Sequence, residues 1–247
     1  MASSDNRHVI AVADQAALAT AAAGRLVARV EANPGHAAIC LAGGSSPKAL
    51  FQLLATDPWR KRIPWDHVHW FIGDERFVPV TDSLNNMAMA RQTFLDACAP
   101  ADNIHPIATD LTDIDQSARS YESELKSYYG AGVLNPARPL FDFVLMGVGP
   151  DGHTASLFPG DPALEETERW VVGVPAAPVE PFVPRITLTL PVLGSCREML
   201  FEVAGGQKRA ILMRVLEGEN LPASRACSTG ETLWLADKAA LPENFRG

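Results

Sequence analysis

Phe141-Asp142-Phe143-Val144-Leu145-Met146-Gly147-Val148-Gly149-Pro150-Asp151-Gly152-His153 sets an apolar run against a glycine-dense loop. Phe141 to Val148 is the most apolar strand candidate in the chain. A strand apolar on both faces must be covered on both, as in the parallel sheets of α/β proteins. The pattern recurs on either side. His8 to Val12, Ala37 to Leu41 and Val68 to Ile72 read as strands before it; Val171 to Val174, Ile186 to Leu190, Met199 to Val203 and Leu233 to Leu235 read as strands after it. Stretches of helical period lie between them. Asp14 to Glu31 has Asp14 as a candidate N-cap and Asn33-Pro34-Gly35 as its stop. Pro47 suits the first turn of a helix through Leu54. Asn86 to Leu95, Asp113 to Tyr129 and Lys208 to Leu216 complete the set. This alternation predicts a doubly wound α/β fold, with a mostly parallel sheet and helices on both faces. No internal repeat or low-complexity linker divides the 247 residues, and one domain over 1–247 is expected.

Apolar residues make up 47% of the chain, enough for a sizeable core. The net charge of −8 argues against nucleic acid as the main partner, because phosphate backbones recruit Lys/Arg-rich surfaces. A small anion can still bind where a few cations gather in one pocket. Met1 to Arg7 is polar without an apolar stretch, so no secretory signal is expected. No apolar run is long enough to span a bilayer. The four cysteines, Cys40, Cys98, Cys196 and Cys227, form no C-x-x-C pair, and reduced thiols in a cytoplasmic protein are expected.

Four glycine-rich or polar clusters each follow an apolar run directly: Gly43-Gly44-Ser45-Ser46, Gly73-Asp74-Glu75-Arg76, Gly147 to His153, and Gly205-Gly206-Gln207-Lys208. In a parallel sheet all strand C-termini lie along one edge, and open α/β sheets bind ligands in the crevice outside it. The four loops are therefore expected to converge. Gly43-Gly44-Ser45-Ser46 lets backbone approach a ligand ahead of a helix N-terminus, or is an ordinary capped turn; its spacing matches neither a P-loop nor a dinucleotide fingerprint. Arg76 could hold a phosphate or carboxylate through paired hydrogen bonds. Asp74 or Glu75 could orient Arg76 or a substrate hydroxyl, and the alternative is a solvated charged turn. Imidazole titrates near neutrality and suits general-base work, which makes His153 the candidate base. Asp151 is the local carboxylate that could accept its other N–H, or could merely cap the turn. Lys208 at a helix start opposes the helix dipole, a conflict that a bound phosphate would relieve. Arg185 opens a strand after Pro184 as a further cation. There is no G-x-S-x-G elbow and no H-E-x-x-H zinc site; His67 and His69 read as packing or surface residues.

These segments resemble, in order and over nearly the whole chain, the 6-phosphogluconolactonases. The resemblance runs through Leu41-Ala42-Gly43-Gly44-Ser45-Ser46-Pro47, Gly73-Asp74-Glu75-Arg76-Phe77-Val78-Pro79, Asn86-Met87-Ala88-Met89-Ala90-Arg91, Gly147 to Pro159, Pro184 to Thr189 and Gly206-Gln207-Lys208. It implies the doubly wound fold shared with glucosamine-6-phosphate deaminases. It implies hydrolysis of 6-phospho-D-glucono-1,5-lactone to 6-phospho-D-gluconate, with His153 activating water. It also implies phosphate and sugar contacts from Gly43, Gly44, Ser45, Arg76, Arg185 and Lys208. Asp74, Asn86 and Asp151 are expected to support the site or orient hydroxyls. Family members more often carry Ser directly before the Asn, so Asn85 and Asn86 both stand as its counterpart. The implied reaction requires no metal or organic cofactor; the implied partner is the lactone alone, with no nucleic acid or membrane, and a monomer or weak homodimer is expected.

Two rivals follow from the same residues. A glucosamine-6-phosphate deaminase must also move a proton between carbons and carries an acidic residue shortly after D-G-H, where this chain has Ser156-Leu157-Phe158-Pro159. Its earlier loop reads Asp-Glu-Tyr, against Asp74-Glu75-Arg76 here. A non-catalytic sugar-phosphate sensor would normally carry an added DNA-binding segment, and no basic stretch at either end looks like one.

Overall fold

The computed structural model describes residues 8–44, 46–243 and 245. Its strands are β1 (His8–Val12), β2 (Ala37–Leu41), β3 (Val68–Ile72), β4 (Asp74–Arg76), β5 (Phe141–Met146), β6 (Val171–Val174), β7 (Arg185–Leu188), β8 (Cys196–Val203) and β9 (Glu231–Asp237). Six of them form one sheet in the order β1-β9-β8-β5-β2-β3, and every pair in it is parallel. All residues of β2 and β5 are buried, as the apolar composition of both faces requires. In the edge strand β1, by contrast, no residue is fully buried.

The helices that matter for the site are α1 (Gln15–Ala32), α2 (Pro47–Leu54), α3 (Asn86–Ala90), α4 (Ile114–Tyr129) and α5 (Arg209–Leu216). Asp14 caps α1 as expected: its side chain accepts from the Ala17 N–H at 2.9 Å. Leu18, Ala22, Leu26 and Val30 follow at four-residue spacing, all buried. Fully burying each such Leu or Val contributes roughly 1.5–3 kcal/mol relative to exposure. Asp113 caps α4 in the same manner, and Gly130 ends it in the left-handed conformation at φ 73°.

Three local expectations change. Asn86 to Leu95 is not one α-helix: α3 stops at Ala90 and Arg91–Leu95 is a π-helical turn, where Thr93 donates to the Met89 carbonyl. Asp74-Glu75-Arg76 is a strand, not a loop. β4, β6 and β7 form a separate antiparallel sheet in the order β4-β7-β6, outside the parallel one. The reason lies at Gly73. Its N–H donates to the Leu41 carbonyl of the large sheet, and its own carbonyl accepts from the Leu188 N–H of the small one. The chain thus changes sheets one residue after β3, and this aims β4 and β7 across the C-terminal edge of β2 and β5.

Candidate active site

The four loops converge at that edge around a cavity of about 280 Å³. Gly43, Gly44, Asp74, Arg76, Asn86, His153, Arg185 and Lys208 all line it. Ser45, expected beside them, lies outside the described residues, as does the polar segment Met1 to Arg7.

The loop after β5 is built to present one imidazole. Asp151 Oδ1 lies 2.5 Å from His153 Nδ1 and also accepts from the His153 backbone N–H at 3.1 Å. One carboxylate therefore both shapes the turn and holds the ring. With Nδ1–H donated to Asp151, the assigned tautomer leaves Nε2 as the basic nitrogen. The ring packs against Phe158, centroids 4.9 Å apart. It lies directly over Gly149, where a Cβ would fall 2.0 Å from His153 Cε1, so only glycine allows this placement. Gly149 N–H also donates to the His153 carbonyl at 2.8 Å, closing the loop. Thr154 ties it back to the Gly147 carbonyl at 2.8 Å.

The segment after β3 supplies the opposite wall. Asp74 is buried, and its Oδ2 accepts from Ser156 Oγ at 2.6 Å, bonding the small sheet to the His153 loop. Glu75 is fully buried and accepts from the backbone N–H groups of Arg76, Asn86 and Met87 at 2.6–2.9 Å. Burial raises its carboxyl to about 7 against these bonds, which favour the charged form. Asn86 donates to the Asp74 carbonyl at 2.9 Å and fills the space over Gly43, where a Cβ would lie 2.0 Å from its Oδ1. Asn85 instead caps α3 through the Ala88 N–H, so Asn86 is the one that faces the cavity.

The three cations reach the cavity from three elements. Arg76 on β4 donates from Nη1 to the Leu84 carbonyl at 2.8 Å, while its buried Nε has no hydrogen-bond partner among the described residues. Arg185 on β7 is buried and donates to the carbonyls of Pro181 and Val183. These two residues are directly paired across β4 and β7. Like charges in that position destabilise a sheet. Burial first, and then Arg76, lower the Arg185 guanidinium from its ordinary value. Lys208 precedes α5 and donates from Nζ to the Val148 carbonyl at 2.6 Å, so it leans into the His153 loop and not into solvent. Burial lowers it too, against the pull of Asp151.

Sequence reasoning missed three features of this wall. Glu75 was expected to orient Arg76 or a substrate hydroxyl, or to lie in a solvated turn; its cluster of backbone bonds has no sequence signal. The tie between Ser156 and Asp74 joins residues far apart in the chain. Glu202, on β8, also lines the cavity; a charge inside the apolar run Met199 to Val203 was the available signal. Among the described residues no three His, Cys, Asp or Glu side chains gather as metal ligands.

Residues 13–234 match the family of glucosamine-6-phosphate isomerases and 6-phosphogluconolactonases. The chain is 39% identical over 228 residues to a 6-phosphogluconolactonase of Synechocystis sp., covering 89% of each chain. It is 34% identical over 232 residues to one of Rattus norvegicus, covering 91% of this chain and 87% of that one. Among solved structures, the 6-phosphogluconolactonase of Trypanosoma cruzi superposes with a TM-score of 0.85 at 28% identity, covering 98% of both chains. A monomeric glucosamine-6-phosphate deaminase shares the fold, at a TM-score of 0.79 and 18% identity, over 94% of this chain and 98% of that one. The chain belongs to the glucosamine-6-phosphate isomerase/6-phosphogluconolactonase family.

Proposed function

We propose that this protein hydrolyses 6-phospho-D-glucono-1,5-lactone to 6-phospho-D-gluconate, with His153 as general base and the phosphate held by Arg76, Arg185, Lys208 and the Gly43–Gly44 turn. The observation that carries this reading is the pairing of a base with an anion site in one cavity. His153 is oriented by Asp151 at 2.5 Å, and the same cavity has Arg76 and Arg185 opposed across two strands. Two opposed guanidiniums are costly unless an anion lies between them. Identity of 34–39% to 6-phosphogluconolactonases over most of the chain supports the choice of lactone.

The chemistry follows from those positions. Water attacks the lactone carbonyl carbon while His153 Nε2 takes its proton; the C=O π pair moves onto the carbonyl oxygen, and its return breaks the ring C–O bond. The imidazolium formed is stabilised by Asp151 and can return its proton to the leaving ring oxygen. The phosphate, remote from the reacting carbon, fixes the substrate's position. Asp74 and Asn86 set the walls, Asp74 held by Ser156 and Asn86 by the Asp74 carbonyl.

The deaminase reading needs a further carboxylate after Gly152-His153. At the first of those positions Ser156 is buried and committed to Asp74, and no acid stands between it and Pro159. Two assays separate the readings. The lactone is generated in situ from glucose 6-phosphate by its dehydrogenase and its decay followed; ammonia is measured with glucosamine 6-phosphate. The proposal expects faster lactone loss and no ammonia, and ammonia release without faster lactone loss overturns it.

We also propose a single domain, acting as a monomer or weak dimer in the cytoplasm. One continuous apolar cluster spans both sheets, and the exposed large apolar residues described, such as Val133 and Phe182, are scattered. No helix described is long and apolar enough to cross a membrane.

A further inference from the structure

Glu202 is the one cavity-lining acid that the lactone chemistry leaves unused. It is 3% exposed, and neither of its carboxylate oxygens has a hydrogen-bond partner among the described residues. A buried carboxylate left in that state is strongly disfavoured as an anion. Its place is set by register. Met146 of β5 pairs with Phe201 of β8, so Gly147 and Glu202 stand next along, side by side where the sheet opens to the cavity. Gly147 has no side chain, and a Cβ there would meet nothing within 4 Å. No side chain therefore fills the position next to Glu202 at Gly147, and both residues line the cavity.

The charged groups on the surrounding elements are engaged elsewhere. Glu198, four residues earlier on β8, is paired with Arg25 and Arg29 of α1, which also hold Glu231 of β9. Asp237 of β9 accepts from the N–H groups of Gly205 and Ala240. Asp142, at the far end of β5, accepts from the Ala38 N–H and from Arg197. Asp14 caps α1, Lys48 on α2 is exposed, Lys208 is on the Val148 carbonyl, and Asp151 is on His153. Burial alone acts on the Glu202 carboxyl, raising it to about 8.

We propose that Glu202 is a proton-dependent binding residue of this cavity: as the neutral acid it donates a hydrogen bond to a phosphate oxygen of the ligand, and as the carboxylate it repels that phosphate. This rests on the reading that the site takes a phosphate ester. A neutral carboxylic acid can add a hydrogen-bond donor to an anion site without adding charge. Phosphate binding then carries the proton with it, and affinity falls as the acid ionises.

Titration calorimetry with inorganic phosphate and with 6-phosphogluconate tests this at about pH 7 and about pH 9, on wild-type protein and on Glu202→Gln and Glu202→Leu. Every titratable group other than residue 202 is common to all three proteins, so the comparison isolates residue 202. Wild-type affinity is expected to fall about tenfold more between the two pH values than that of Glu202→Gln, the fraction of neutral acid having dropped by that factor. The amide keeps a donor at both pH values. Glu202→Leu, which has none, is expected to bind more weakly at pH 7 and to lack the excess fall. A purely structural role would not remove a pH dependence. Equal pH dependence in wild type and either variant overturns the proposal alone. Wild-type protein that binds neither ligand at either pH overturns the phosphate-ester reading and this proposal with it.

Discussion

Single residues carry the chemistry because their neighbours leave them only one place to be. The His153 ring sits over Gly149 at a distance no Cβ allows. Gly149→Ala is thus expected to push the ring off Asp151 and lower kcat at least tenfold, while thermal unfolding shifts by no more than a few degrees; kcat within twofold of wild type would contradict the placement. Ser156→Ala removes the one side-chain donor to buried Asp74 among the described residues. Its expected cost is about 1–3 kcal/mol in denaturant unfolding, the penalty of an unsatisfied buried acceptor. At this scale the sequence was most legible where glycine crowded a histidine, as in 147–153. It was least legible where a side chain such as Glu75 bonds only to backbone, because backbone N–H groups leave no trace in residue type.

Elements place these residues, and here the small antiparallel sheet matters most. It was not foreseen, since three residues of β4 carry charges that read as a turn. Gly73 stitches the two sheets, and the register sets Arg76 against Arg185. Arg185→Ala and Lys208→Ala are each expected to raise KM about ten- to a hundredfold, as charge-assisted hydrogen bonds worth about 1.5–3 kcal/mol are lost, with kcat changed less. Steady-state kinetics that leave KM unchanged in both would remove the cations from the phosphate role. The parallel strands, by contrast, were readable from composition alone. Burial on both faces demands an apolar residue at nearly every position, and β2 and β5 meet that demand.

The whole molecule adds a pH dependence that belongs to stability and not to the site. His69, at the start of β3, meets His105 at 2.9 Å, which in turn meets Glu124 at 2.6 Å. Burial, then His105 and His36, lower His69 to about 4. An unfolded chain takes up this proton near its ordinary value, so His69 withdraws stability as pH falls from about 6.5 toward 4. Urea unfolding at pH 7.5 and pH 5 is expected to show wild type losing about 1 kcal/mol more than His69→Gln, a figure discounted for partial exposure. Equal losses would place the proton elsewhere. At this scale, the convergence of four distant loops on one edge followed from the parallel topology. The order of strands along that edge did not, because periodicity fixes the type of an element and not its neighbour.

The central claim is that His153, held by Asp151, activates water for lactone hydrolysis while other residues bind the substrate. The most direct measurement is lactone decay catalysed by wild type and by His153→Ala, alongside the affinity of each for 6-phosphogluconate. The account predicts a loss of kcat on the order of a hundred- to ten-thousandfold, with affinity within a few-fold of wild type. Undiminished turnover by His153→Ala would contradict it.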